Sequence, residues 1–294
     1  MSPLRPLSSV VLIIAGTLAG CRSDRPSGDT QSSSATTTAA DPSGTPASVT
    51  ITAKDYSFDA PDTLRAGAIT LRLVNNGTEL HHAQLIKLDD ITKTMADIHE
   101  ALKKPGPPPS WVRFVGGPNA VPPGKKSEST SVLSPGKYAY LCFIPSSDGV
   151  MHAAKGMVKM FAVYPQDRDI MSELPPSVAT IKMFDYDYEL SQPLTPGRHT
   201  IRVENVGPQP HELALLKLAP GKTVADFAAW EKAGMKGPPP AEPLGGVVAL
   251  DKGGSATFTA DLTAGDYGLM CFVPDSKDGK LHFAHGMMKM IKVG

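Results

Sequence analysis

Apolar and polar residues alternate with a period of two along several short stretches of the chain. Val49-Thr-Ile-Thr-Ala and Ile69-Thr-Leu-Arg-Leu-Val carry the pattern early, and Val178-Ala-Thr-Ile-Lys-Met and His199-Thr-Ile-Arg-Val-Glu repeat it later. Such alternation predicts half-buried strands. The segments His81 to Leu88 and His211 to Leu218 match nearly position for position, so the chain contains an internal repeat. Each copy then breaks the strand period. Thr94-Met-Ala-Asp97 and Thr223-Val-Ala-Asp226 place Thr at a helix N-cap with an acid at N3, which predicts a short helix. Gly-Pro-Pro-Pro stops each helix, at Gly106 to Pro109 and Gly237 to Pro240. After Gly116-Gly117 and Gly245-Gly246 come two more strands, the second running Tyr138 to Cys142 or Tyr267 to Cys271. A last strand covers Lys159 to Val163 or Lys289 to Val293. The expected fold is all-β: two tandem Greek-key β-sandwiches, each with a short inserted helix.

The pattern also divides the chain. Residues 1–20 read as a signal peptide, with Arg5 ahead of an apolar run, Val10-Val-Leu-Ile-Ile-Ala, too short to span a bilayer. Residues 21–47 are Ser, Thr, Ala, Gly, Pro and Asp with little that is apolar, so a disordered tether is expected. The two repeats occupy 48–165 and 177–294, joined by a linker at 166–176.

Charge removes some options. With 29 basic and 29 acidic residues in 294, the chain has no net charge and offers no electrostatic reason to bind nucleic acid. All three cysteines have separate places: Cys21 at the end of the signal segment, and Cys142 and Cys271 at equivalent points of the repeats. No disulfide is expected between equivalent positions of separate domains.

The chemistry gathers after those last two cysteines. Cys142, His152 and Met157 lie on one loop, as do Cys271, His282 and Met287 in the second copy. His81 and His211, following Asn-x-Gly-x-x-x, supply a further imidazole in each half. A thiolate, two imidazoles and a weak thioether form the trigonal set of blue-copper sites. One copper per repeat is therefore expected, two per chain. Alignment of the repeats places Glu212 opposite His82 and Lys155 opposite His285, which leaves His82 and His285 outside the ligand set. His99 and His199 belong to no motif.

Asn-x-Gly-x-x-x-His, Tyr-x-x-x-Cys and His-x-x-x-Gly-Met together resemble the cupredoxins, the superfamily of plastocyanin, pseudoazurin and the type 1 domain of copper nitrite reductase. The resemblance covers both repeats with all four ligand positions filled: His81, Cys142, His152 and Met157, then His211, Cys271, His282 and Met287. It departs in loop length, with nine residues between Cys and His in one copy and ten in the other. The resemblance implies electron transfer with a redox partner protein in the cell envelope, and makes the loop-borne His152 and His282 the expected electron ports. Copper delivery and a metal-free interaction module are the alternative readings. In the family's oxidases and nitrite reductases a His flanks the Cys; here the neighbours are Leu141, Phe143, Met270 and Phe272, so no enzymatic activity is expected. Leu18-Ala-Gly-Cys21 resembles the lipobox of bacterial lipoproteins. It implies acylation of Cys21 and a membrane-anchored protein facing the periplasm or exterior. Arg22 stands where an Asp would signal inner-membrane retention, which favours the outer membrane.

Overall fold

A computed structural model of the chain describes residues 37–38, 46–104, 106–166, 173–234 and 236–294. The signal segment, Cys21, nearly all of the tether and residues 167–172 of the linker lie outside the described residues. No helix of the described residues is long and apolar enough to cross a membrane.

The first repeat contributes β1 (Thr37–Thr38), β2 (Ala47–Lys54), β3 (Ser57–Asp59), β4 (Thr63–Arg65), β5 (Gly67–Asn75) and β6 (Gln84–Leu88). Helix α1 (Met95–Leu102) follows, then β7 (Val112–Phe114), β8 (Lys126–Leu133), β9 (Gly136–Leu141) and β10 (Val158–Tyr164). The second repeat has β11 (Ala179–Phe184), β12 (Asp187–Leu190), β13 (Gly197–Asn205), β14 (His211–Leu218), α2 (Val224–Lys232), β15 (Ala241–Leu250), β16 (Ser255–Leu262), β17 (Gly265–Met270) and β18 (Met288–Val293). The fold is all-β, with its strands in three sheets and two short α-helices among the described residues. Strand β1 lies within the expected tether and pairs with the edge of β2, Thr37 opposite Val49.

Where the sequence pattern suggested two separate sandwiches, the structure joins them. Strands β8 and β16 pair antiparallel, Ser129 opposite Phe258, and run one nine-stranded sheet through both repeats. A five-stranded sheet, β4-β10-β9-β6-β7, covers the first half of it, and a four-stranded sheet, β15-β14-β17-β18, covers the second. Residues 114–120 and 245–251 also cross-bond, with Gly116 N–H donating to Ala249 O at 3.0 Å and Val248 N–H to Gly117 O at 3.0 Å. The buried Asn119 side chain ties the halves again, donating to Glu212 Oε2 and Leu213 O at 3.2 Å each.

Each half keeps its own core. Val49, Ile51, Leu71, Leu73, Leu85, Tyr138, Tyr140 and Phe161 pack around Cys142 and Met157. Ile181, Met183, Ile201, Val203, Leu213, Leu215, Tyr267 and Leu269 do the same around Cys271 and Met287. The alternating strands fit this plan, since Val49, Ile51 and Ala53 of β2 all face inward. Strand β9 does not alternate because it is buried on both faces. Tyr138 and Tyr140 enter the core, while Ala139 and Leu141 pack with Ile86, Leu88 and Ile98 of α1. Covering the outer face is what the inserted helix does. Both helices carry the expected capping box, Thr94 with Asp97 and Thr223 with Asp226.

Candidate metal centres

Each centre begins with an Asn that folds the turn before its histidine. Asn75 Nδ2 donates to Glu79 O and Val121 O, both at 2.8 Å, and Asn75 Oδ1 accepts from Gly77 N–H at 2.9 Å. Asn205 repeats these bonds to Gln209 O, Leu250 O and Gly207 N–H. The glycine is needed because the histidine edge passes directly over it. A Cβ on Gly77 would lie 2.5 Å from His81 Nε2, and one on Gly207 2.7 Å from His211 Nε2. The Asn-x-Gly-x-x-x-His motif is thus a turn that presents an imidazole inward.

The cysteine loop is fixed by its backbone. Tyr138 OH donates to Ser134 O at 2.7 Å and anchors the start of the strand that delivers Cys142; Tyr267 OH and Thr263 O do so at 2.9 Å in the second repeat. Beyond the cysteine the chain loops out and returns as a one-turn 3-10 helix, His152–Lys155 or His282–His285. Ala153 N–H donates to Cys142 O at 2.7 Å, and Cys142 N–H to Met157 O at 3.3 Å. The second repeat has the same pair of contacts, Phe283 to Cys271 at 2.9 Å and Cys271 to Met287 at 3.2 Å.

These elements bring His81, Cys142 and His152 together, and separately His211, Cys271 and His282, each trio fully buried. His81 Nδ1 and His152 Nδ1 are 3.1 Å apart, with Cys142 Sγ 3.9 and 3.4 Å from them. His211 Nδ1 and His282 Nδ1 are 3.0 Å apart, and Cys271 Sγ is 3.4 Å from the latter. Met157 and Met287 are buried in the same cores as their cysteines. Cys21 lies outside the described residues.

The other nitrogens show what this arrangement fits. His81 Nε2 donates to Asp55 Oδ1 at 2.9 Å, His152 Nε2 to Glu79 Oε2 at 2.5 Å, and His211 Nε2 to Asp185 Oδ1 at 2.6 Å. A carboxylate on Nε2 fixes the tautomer and leaves Nδ1 a bare lone pair, as in the carboxylate–histidine–metal arrangement. In the first centre two such lone pairs face each other beside a thiol, an array that a cation completes. With bonds of about 2.0 Å to nitrogen and about 2.3 Å to sulfur, ligand nitrogens stand about 3.3 Å apart, close to what is found. Soft sulfur with imidazole suits copper.

Burial sets the protonation of the metal-free centres. It pushes the Cys142 thiol up to about 12 and raises Cys271 well above its ordinary value. It lowers His81 and His211, and takes His282 down to about 4. A bound metal therefore displaces a thiol proton, while His81, His211 and His282 are already neutral.

The residues beside the first histidines have structural work that the sequence did not reveal. His82 Nε2 accepts Phe143 N–H at 2.8 Å, and Glu212 Oε1 accepts Phe272 N–H at the same distance. Both acceptors hold the residue after the cysteine, which explains how His and Glu exchange between repeats. The expected electron ports need correction. His152 and His282 are fully enclosed, beneath the half-buried Tyr56 and Tyr186 at ring distances of 5.3 and 5.4 Å. The covering tyrosines come from strand turns elsewhere in the chain, and the loop residues Ser146 and Asp275 hydrogen-bond their hydroxyls.

No protein-family model matches the chain, and no curated protein matches it. Solved structures do. A multicopper oxidase matches at 13% identity over 89% of this chain and 93% of its own, with a TM-score of 0.28. Auracyanin A of Chloroflexus aurantiacus, a blue copper protein, matches at 22% identity over 41% of this chain and all of its own, with a TM-score of 0.30. A copper nitrite reductase of Nitrosomonas europaea matches at 14% identity over 84% of this chain and 93% of its own, with a TM-score of 0.25. The expectation that the chain is no enzyme is overturned: an oxidase and a nitrite reductase stand among its structural neighbours.

Proposed function

We propose that the chain is a copper-binding electron-transfer protein with one copper in each repeat. The observation that carries this reading is the buried pair of facing Nδ1 atoms beside a cysteine, found twice. Copper bound there would supply a one-electron couple. His81, Cys142 and His152 would hold it in the first repeat, and His211, Cys271 and His282 in the second, with Met157 and Met287 as weak axial ligands. Asp55, Glu79 and Asp185 keep the imidazoles in the ligating tautomer, and the sandwich holds their positions through a change of oxidation state. Tyr56 and Tyr186, which cover the loop histidines, are the side chains across which a partner in the cell envelope would exchange electrons. The lipobox-like Leu-Ala-Gly-Cys21 supports anchoring by acylation at the periplasmic or exterior face.

The test is metal analysis with visible spectroscopy of copper-loaded protein. Wild type should hold two coppers and show an intense thiolate-to-copper band, and Cys142→Ser and Cys271→Ser should each lose one equivalent. One copper or none in wild type would defeat the two-site reading. Rapid loss of Cu(I) to a chelator, with poor reoxidation, would point to copper delivery instead.

A further inference from the structure

The mouths of the two centres differ at two paired positions that act together. In the first repeat the Lys155 ammonium lies 2.7 Å from Asp148 Oδ2 and 4.9 Å from the centre of the Tyr56 ring. This mouth carries its own cation. In the second repeat His285 takes the place of Lys155, with Nε2 3.1 Å from Asp278 Oδ1 and its ring stacked 5.0 Å from Tyr186. Ser146 is also exchanged, for Asp275. Lys280 pairs with Asp278 here as Lys155 pairs with Asp148 in the first repeat, so the added carboxylate of Asp275 is the change that remains. Atoms of Asp275, Asp278 and His285 now lie within 4.8 Å of one another.

A separate observation points to a ligand at this place. His282 Nε2 is completely buried, has no hydrogen-bond partner among the described residues, and lies 3.7 Å from Asp275 Oδ2. The equivalent nitrogen of His152 is satisfied by Glu79. In the second repeat that glutamate is Gln209, whose amide donates to Asp275 Oδ2 at 2.9 Å instead. An enclosed polar atom left without a partner is uncommon enough to call for one.

We propose that Asp275, Asp278 and His285 form a third metal site, for a divalent cation of the zinc class, at the mouth of the second centre. One imidazole and two carboxylate oxygens are ordinary zinc ligands, and three protein ligands leave a position for water. Asp275 Oδ2, 3.7 Å from His282 Nε2, links the site to that enclosed imidazole. Asp275 is already oriented: Tyr186 OH donates to Oδ2 at 2.7 Å and Lys277 N–H to Oδ1 at 2.7 Å. Asp278 accepts from Lys280 N–H at 3.0 Å, and its Oδ2 lies 2.9 Å from the Lys280 ammonium, which competes with the metal.

Zinc sulfate is the probe. Copper-loaded full-length protein is titrated with zinc, and zinc and copper are counted after desalting. Wild type should retain one zinc per chain more than His285→Lys, a substitution that copies the first repeat. Zinc affinity should fall more than about 100-fold in His285→Lys and Asp278→Asn, beyond the usual loss of an outer-shell partner. Lys280→Gln should tighten it several-fold, with the copper count unchanged in all three variants. Equal zinc in wild type and both weakening variants would overturn the site, as would zinc gained only when copper leaves. Should the chain take up no copper, the zinc difference between wild type and His285→Lys still decides, because His285 lies outside both His-Cys-His sets.

Discussion

His152 Nε2 donates to Glu79 Oε2 at 2.5 Å, joining a fully buried imidazole to a carboxylate that is about a third exposed. The contact orients the imidazole that rides on the loop after Cys142. Glu79→Gln should therefore weaken copper at that centre by about 10- to 100-fold and leave the second centre unchanged. Competition titration in a Cys271→Ser background isolates the first centre. An unchanged affinity would show that the loop holds His152 without Glu79.

Glu212 gives the metal-free protein an alkaline weakness. Burial raises its carboxyl from 4.5 to about 7, so the folded state prefers it protonated. A folded value above the unfolded one gives a contribution that is complete below about 4.5 and is lost as pH rises through about 7. His82 works in the opposite sense. Burial lowers it from 6.5 to about 3, so its contribution is complete above 6.5 and is lost as pH falls towards 3. Stability of the metal-free protein should peak between these two declines. Glu212→Gln should flatten the decline between pH 5 and 8 by about 1–3 kcal/mol, read by denaturant unfolding at several pH values. The slope is the readout, since Gln also alters the contact with Asn119. A slope equal to wild type would refute the assignment.

Asn119 is a buried side-chain strut between the repeats, as is Gln84, whose Nε2 donates to Ala249 O at 3.0 Å. The buried Asn119 Nδ2 faces three acceptors: Glu212 Oε2, Leu213 O and Val247 O. Asn119→Ala strands these, and an unsatisfied buried polar group costs about 1–3 kcal/mol. A loss of about 2–4 kcal/mol is expected, with both unfolding transitions affected if the halves melt separately. A change confined to the first repeat would show that the strut does not couple them.

The donor sets were legible in the sequence because the repeat wrote each residue twice. Asn-x-Gly-x-x-x-His, the Cys and the His-x-x-x-Gly-Met run encode local turns, and local turns survive in sequence order. The strands with period two were legible for the same reason. What could not be read depends on partners far along the chain. Asp55 and Asp185 reach the histidines from a different strand connection, and although Asp-Tyr recurs at both positions, its partner 26 residues on is set by the fold. The pairing of β8 with β16 joins two edges that each look complete alone. The roles of His82 and Glu212 were hidden because two unlike side chains accept the same backbone N–H. The exchange of Glu79 and Ser146 for Gln209 and Asp275 was visible in the alignment, but only the fold shows that the two positions meet.

The double glycine before the long strands of each repeat makes a sharper demand than a turn. Gly117 has φ +121°, and a Cβ there would lie 2.2 Å from Ala83 O, a backbone atom that cannot swing aside. Gly246 has the same problem with Leu213 O at 2.1 Å. Gly124 is a control, with φ +76° but open space around it. Gly124→Ala should cost about 1–2 kcal/mol, the strain of a left-handed backbone alone. Gly117→Ala should cost more than about 4 kcal/mol, the range reserved for clashes in packed structure. Because Ala83 lies two residues after His81, relief of the clash must move the strand that presents His81. Gly117→Ala should therefore also weaken copper at the first centre, while Gly124→Ala leaves it intact. Thermal unfolding and copper titration of both variants decide the matter. Equal costs would mean that only the backbone angle, and not the close approach to Ala83, requires glycine here.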